Sequence, residues 1–287
     1  MKNYPSLLIV TPAKNESKNI QRLSEMLAHQ KVQNFTWVIV IDGKDDESIG
    51  IARSLKPSFP YNVLNFESSG LLIKGGAFQT WSFGVDFGIN EYPQSEYVMK
   101  LDADVILDSN YFAELFAAIQ LSPADILGGV ITGNDREQSE YVPGPVKMYS
   151  REALTLVKKL PIATGFDVMD EMICRQNGLK ILVVKSAKFR MIRSIGHSQG
   201  KLHGRYRNGL VCRWTGYSFY YFILHAVRYF FRSPYILGSL WMVVGYLFAG
   251  PGPYNSELRA FHRKLQKARL LRIFRSPIAT LRDLYGS

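Results

Sequence analysis

Apolar and polar positions alternate along this chain in a regular order. Ser6 to Val10 is an apolar run, and a helical pattern follows it with Ile20, Leu23, Met26 and Leu27 on one face. Trp37 to Ile41 is a second run, Tyr61 to Phe66 a third and Tyr97 to Leu101 a fourth. Between the third and fourth lies a helical segment carrying Phe78, Trp81 and Val85. Short apolar runs alternating with 3.6-periodic segments predict an α/β fold: a mostly parallel sheet with helices on both faces. Ligands of such sheets bind beyond the carboxyl ends of the strands.

Polar clusters fall at that edge. Thr11-Pro12-Ala13-Lys14-Asn15-Glu16 follows the first strand and Asp42-Gly43-Lys44-Asp45-Asp46 the second. Lys74-Gly75-Gly76-Ala77 opens the helix after the third, and Asp102-Ala103-Asp104 ends the fourth. Side chains at i and i+2 of an extended segment point the same way, so Asp102 and Asp104 converge. Two carboxylates about 5 Å apart repel by roughly 3 kcal/mol at an effective dielectric of about 20. A hard divalent ion with oxygen ligands turns that repulsion into binding. The alternative is two solvated acids before a helix capped by Ser109. Each cluster has such an alternative, since Glu16 suits the first turn of a helix and Asn15 a cap. Their joint placement favours one shared site for an anionic, metal-bound ligand.

With Gly165-Phe166-Asp167-Val168-Met169-Asp170-Glu171, these segments occur in the order typical of family 2 glycosyltransferases. The first 200 residues or so resemble that family. The resemblance implies a GT-A fold holding a nucleotide-diphosphate sugar with Mn²⁺ or Mg²⁺. It implies that Pro12, Ala13 and Glu16 line the base and ribose with Thr11 beside them, and that Asp42 and Asp46 belong to the nucleotide-binding loop. Ile41 stands where the family usually has the first acid of that loop, so uracil, guanine and thymine remain open. Lys74 and Gly75 then meet the diphosphate, where an ammonium neutralises it and glycine permits close backbone approach. Asp102, with Ala103, meets ribose or metal, and Asp104 binds the metal. His197 is the candidate that completes the metal shell, the alternative being a loop histidine satisfied by backbone.

The family's general base is an aspartate at the start of a helix on the acceptor side. Register on Gly178 favours Asp167, whereas Asp170-Glu171 resembles the usual acidic pair. Both aspartates stay candidates, with Glu171 as an acceptor-binding partner. Asp167 as N-cap with Asp170 behind it, in the manner of a capping box, is the structural alternative. The resemblance also implies inversion at the anomeric carbon. Leu210 occupies the glutamine position of the processive Gln-x-x-Arg-Trp motif before Arg213-Trp214, which favours one sugar per encounter.

Charge separates the chain into two parts. The whole carries +11, yet residues 188–287 hold 17 basic and 2 acidic residues and are +15 alone. Tyr217 to Phe222, Tyr229 to Phe231 and the apolar stretch Tyr235 to Gly250 lie in this part. Basic, aromatic and apolar together suit a membrane surface better than a nucleic-acid groove, and no nucleic-acid module is visible. The apolar stretch is shorter than the ~20 residues a span needs, which predicts an interfacial or re-entrant helix. Glu257 to Tyr285 reads as a basic amphipathic helix lying on the membrane, the alternative being a helix docked on the catalytic domain.

The expected division is a catalytic domain over 1–210 and a helical, membrane-associating appendage over 211–287. Cys174 and Cys212 show no paired spacing, which suits a reducing compartment. With the first strand beginning by residue 6, no signal peptide is expected, placing the protein in the cytoplasm, peripheral or monotopic at the inner face of the membrane. The expected reaction moves a sugar from a nucleotide-diphosphate donor to a lipid-linked or cell-surface glycan acceptor. Two other classes stay open: a nucleotidyltransferase, which would carry a glycine-rich basic loop after the first strand, and a catalytically silent membrane scaffold.

Overall fold

The computed structural model describes residues 4–68, 75–133, 141–192, 200–230 and 233–275. Within them one sheet runs in the order β3-β2-β1-β4-β7-β6-β8-β5. Its strands are β1 (Leu7–Ala13), β2 (Phe35–Asp42), β3 (Tyr61–Phe66), β4 (Tyr97–Leu101), β5 (Val105–Leu107), β6 (Ile126–Ile131), β7 (Val146–Ser150) and β8 (Ile181–Met191). β3, β2, β1 and β4 are mutually parallel, which is the half that the apolar runs predict. β7 then enters antiparallel between β4 and β6, and β5 closes antiparallel on β8. A five-residue strand with a lysine at its second position carries little apolar signal, so β7 is silent in the sequence pattern.

The interleaved helices are α1 (Ser17–Ala28), α2 (Asp46–Ser54), α3 (Gly76–Glu91), α4 (Tyr111–Leu121), α5 (Arg151–Val157) and α6 (Phe166–Gln176). Alternate residues of β1 point to opposite faces, giving two cores. Leu7 and Ile9 pack with Ile20, Leu23 and Leu27 of α1 and Phe112 and Phe116 of α4. Leu8 and Val10 pack with Phe78, Trp81 and Val85 of α3 and Met169 and Met172 of α6. Burial on both faces is why these strands read as continuous apolar runs.

The rest of the described chain is helical: α7 (Lys201–Trp214), α8 (Phe219–Val227), α9 (Tyr235–Leu247) and α10 (Ser256–Arg275). Residue 210, the expected boundary, lies inside α7. A small third core, with Cys212, Phe222, Met242 and Tyr246 buried, joins α7, α8 and α9. Cys174 and Cys212 are both free thiols, buried in separate cores.

α10 corrects the reading of the C-terminal helix as a membrane-lying amphipath. Leu258, His262 and Gln266 are each at most 2% exposed, so the first turns of α10 dock on the protein. That buried stripe includes two polar residues, each with a bond: His262 donates Nδ1–H to the Thr215 carbonyl at 2.7 Å, and Gln266 accepts from the Ser218 amide at 3.0 Å. α9 divides its faces, with Gly238, Ser239, Met242, Gly245 and Tyr246 buried and the opposite side exposed. No helix among the described residues is long and apolar enough to cross a membrane.

Candidate active site

The loops after β1 and β2 are tied together at the carboxyl edge of the sheet. Asn15 turns the chain with a positive φ of 56°, and its amide donates to Asp45 Oδ2 at 2.7 Å. The Glu16 amide donates to Ser48 Oγ at 3.2 Å, while Asp45 caps α2 through the Ser48 amide at 3.1 Å. Burial raises the Asp45 carboxyl, but its bonds from Ser48 and Asn15 outweigh this and hold it below its ordinary value. Asp45, which the sequence does not single out, therefore fixes the two loops. Asp46 beside it is exposed in the first turn of α2.

Asp42 is buried and accepts from the Ser68 amide and hydroxyl, both at 2.9 Å, with Lys14 Nζ at 3.3 Å. It thus anchors the chain leaving β3. Thr11 is fully buried and accepts from Trp37 Nε1 at 2.9 Å, so its side chain supports the sheet and does not face a ligand. Ala13 is buried, while Pro12 and Glu16 are half-buried, the latter accepting from Asn19 Nδ2. Gly75, with a φ of 70°, caps α3 against the backbone of Ala163. Lys74 and His197 lie outside the described residues.

Asp102 to Asp104 form a turn between β4 and β5. Ala103 is buried between two half-buried acids, and the Asp104 charge is near enough to act on Asp102. Lys100, itself buried in β4, donates to Asp102 Oδ1 and, at 3.1 Å, to the Gly144 carbonyl. Loss of solvent pushes the Asp102 carboxyl up to about 6; Lys100 pulls it down, while Asp167 and Asp104 add repulsion.

The acidic helix start divides into two kinds of carboxylate. Lys147 of β7 is fully buried and donates to Asp170 Oδ1 and Oδ2 at 3.1 and 2.9 Å, to Glu171 Oε1 at 3.1 Å and to the Asp167 carbonyl at 2.8 Å. Tyr149 adds a bond to Asp170 at 2.8 Å, and the Val142 amide one to Glu171 at 2.8 Å. Burial alone would lower the Lys147 pKa; the Asp170, Glu171 and Asp167 charges outweigh it, and the ammonium is held. Asp170 and Glu171 are thus both fully buried and bonded to protein, which removes them from contact with an acceptor.

Asp167 is different. It sits in the first turn of α6 and lines a cavity of about 420 Å³ with Asp102, Gly129, Tyr141, Gly144 and Tyr217. A Cβ at Gly144 would stand 2.4 Å from Asp167 Oδ2, so the absent side chain leaves the carboxylate its room. One cavity therefore presents an acid from the β4 turn and an acid from the α6 start.

Sequence comparison shows the family, and fold comparison shows the fold. The family model described as "Glycosyl transferase family 2" matches residues 8–176, more than half of the chain. The chain belongs to glycosyl transferase family 2. It is 26% identical over 134 residues to Glycosyltransferase GlyG of Streptococcus pneumoniae serotype 4, a match covering 46% of this chain and 41% of that protein. The chain thus matches less than half the length of this relative. Among solved structures, S. aureus TarS 1-349 in complex with UDP aligns with a TM-score of 0.56 at 17% identity, covering 96% of this chain and 74% of that one. The mannosyltransferase PcManGT from Pyrobaculum calidifontis, in complex with GDP-Man and Mn²⁺, aligns at 0.55 and 13% identity, covering 99% and 86%. At these identities the likeness shows the fold, which is GT-A.

For a family 2 glycosyltransferase the donor set available to a metal is spare. Among the described residues no group of three His, Cys, Asp or Glu side chains could hold an ion. Asp102 and Asp104 offer carboxylate oxygens, the chemistry that Mn²⁺ or Mg²⁺ takes, with remaining positions suited to a diphosphate and water. Lys100 and Lys147 are buried, acid-paired positions beside this cavity that sequence reasoning missed. Their signal was a lone lysine within each of the strand segments Tyr97-Val98-Met99-Lys100-Leu101 and Val146-Lys147-Met148-Tyr149, since a lysine is almost never fully buried unless paired.

Proposed function

We propose that this chain transfers a sugar from a nucleoside-diphosphate donor to a hydroxyl of a lipid-linked or cell-surface glycan, with inversion and one sugar per encounter. The observation that carries the reading is the single cavity faced by Asp102 and Asp167. Mn²⁺ or Mg²⁺ held by Asp104 and Asp102 would stabilise the negative charge developing on the departing diphosphate. Asp167 accepts the proton of the attacking hydroxyl. Lys147 positions it by holding its backbone carbonyl, and Lys100 orients Asp102. Pro12, Ala13 and Glu16 receive the nucleoside, with Asp42, Asp45 and Ser48 keeping their loops in place. Tyr141 and Tyr217 supply the aromatic walls on the acceptor side, as sugar rings favour.

A membrane surface is the second part of the reading. Ile236, Leu240, Leu247 and Phe248 of α9 and its C-cap, with Phe219, Tyr220 and Leu224 of α8, are between 50% and 76% exposed. An apolar face this extensive beside a basic segment suits the interface of an anionic bilayer. Arg213 and Trp214 serve packing: Arg213 lies over the Tyr246 ring, and Trp214 donates to the Gly250 carbonyl at 3.2 Å. Their engagement supports the non-processive reading.

The test is release of nucleoside diphosphate from UDP-, GDP- and dTDP-sugars with Mn²⁺ and a membrane glycan extract. The expected result is turnover of one donor class, reduced 10²-fold or more in Asp167→Asn, with nucleotide affinity unchanged. Equal turnover in Asp167→Asn would refute its role as base.

A further inference from the structure

A second groove, of about 530 Å³, adjoins the acceptor side of the site and is lined by Arg175, Arg269, Arg272, Tyr141, Val183 and Leu265. Tyr141 and Val183 also line the cavity that holds Asp167, so the two spaces share a wall. Arg269 and Arg272 are three residues apart and share a face of α10, while Arg175 comes from α6, on which α10 packs. No acidic residue is among the described residues lining this groove. Glu171 accepts from Arg175 at 3.5 Å and points its other oxygen to Lys147 and the Val142 amide. Arg269 is held by the Tyr141 ring, 5.0 Å from its centroid, and by a 2.9 Å bond to the Tyr221 hydroxyl. Such contacts fix a guanidinium plane beside the groove.

We propose that this groove binds a phosphate or diphosphate ester carried by the acceptor, seating it so that the acceptor's hydroxyl reaches Asp167. Three guanidinium groups around one space match the charge and the paired oxygens of that group, which arginine binds bidentately. The site deepens the proposed function and rests on it: it gives the acceptor an anionic class, which the catalytic aspartates leave open. The shared chemistry is a phosphate ester, and its two sources are the acceptor itself and a phospholipid headgroup.

The experiment is calorimetric titration of the full chain with inorganic pyrophosphate in EDTA, so that no metal draws the probe to the donor site. One site is expected. Arg272→Gln should weaken it 10-fold or more, and Arg269→Lys, which keeps the charge but loses the fork, should weaken it by a smaller factor. Binding with Mn²⁺ of whichever of UDP, GDP and dTDP the wild type takes should be unchanged in both variants, which also reports that they are folded. A wild-type chain that binds one of these nucleotides with Mn²⁺ but not pyrophosphate, or variants that bind pyrophosphate as wild type does, would overturn the groove and leave the donor site standing. A wild-type chain that binds no nucleotide would overturn the transferase reading and the acceptor assignment with it. Vesicles of phosphatidylglycerol and of phosphatidylcholine separate the sources. Variants that lose phosphatidylglycerol binding while keeping pyrophosphate binding would make this a headgroup contact and overturn the acceptor site; variants that lose pyrophosphate alone support it.

Discussion

Asp167 and Asp170 are three residues apart on one helix, yet one is exposed at a cavity and the other is fully buried. Asp170 is enclosed with Glu171 around Lys147, where removing one partner would leave a buried charge uncompensated. Asp167 keeps its side chain at the cavity and bonds Lys147 through its carbonyl, its carboxylate acting on the ammonium only through its charge. Gly144 makes that possible, and Gly144→Ala tests it, because the added methyl would fall 2.4 Å from the Asp167 carboxylate. Turnover should slow about 10-fold or more while nucleotide affinity stays unchanged, read by steady-state kinetics beside calorimetry. At this scale the sequence was readable only in part. The register to Gly178 pointed to Asp167, but the alternative survived because a partner for Asp170 sits 23 positions away, on a strand with weak apolar signal. The same limit applies to Thr11: the family resemblance implied a place beside the ligand, while Trp37, on the neighbouring strand, donates to its hydroxyl.

Among elements, β1 and β2 were legible because burial on both sheet faces leaves long apolar runs, while the half-buried edge strand β3 and the lysine-bearing β4 were legible from shorter ones. The antiparallel insertion of β7 was not, since Lys147 is stabilised by tertiary partners that no local pattern reveals. α10 shows a related effect: its basic, periodic sequence suggested a membrane, but His262 and Gln266 find partners at Thr215 and Ser218 and carry the helix onto the protein. That contact predicts a pH dependence. Burial, opposed by the Thr215 bond and reinforced by Arg269 and Arg263, pushes His262 down to about 4 from its ordinary 6.5. The unfolded chain therefore binds more protons between those values. Stability is fully present above pH 6.5, is lost as pH falls towards 4, and changes no further below that from this group. The loss is about 3 kcal/mol at most. Urea unfolding across this range should show the slope in the wild type and a flatter one in His262→Gln; equal slopes would assign the effect elsewhere.

Taken as a whole molecule, the chain couples a GT-A sheet to a basic helical region whose outer side is apolar. α8 and α9 bury one side in the third core and expose the other, so the apolar sequence serves packing and surface at once. Leu240 and Trp241 lie in that exposed side at 53% and 43%. Co-sedimentation with phosphatidylglycerol vesicles should fall about 10-fold in Leu240→Ser/Trp241→Ser and weaken with salt in the wild type. Unchanged binding would remove this face from membrane contact. The cavity faced by Asp102 and Asp167 opens near the join between the sheet and these helices, since Tyr217 at the α7–α8 turn also lines it.

The most direct test of the account is calorimetric binding of UDP, GDP and dTDP to the full chain with and without Mn²⁺, beside Asp104→Asn. The account predicts metal-dependent binding of one nucleotide, lost in the variant while its unfolding midpoint stays near that of wild type. Binding of none of the three, or binding that Asp104→Asn leaves intact, would contradict it.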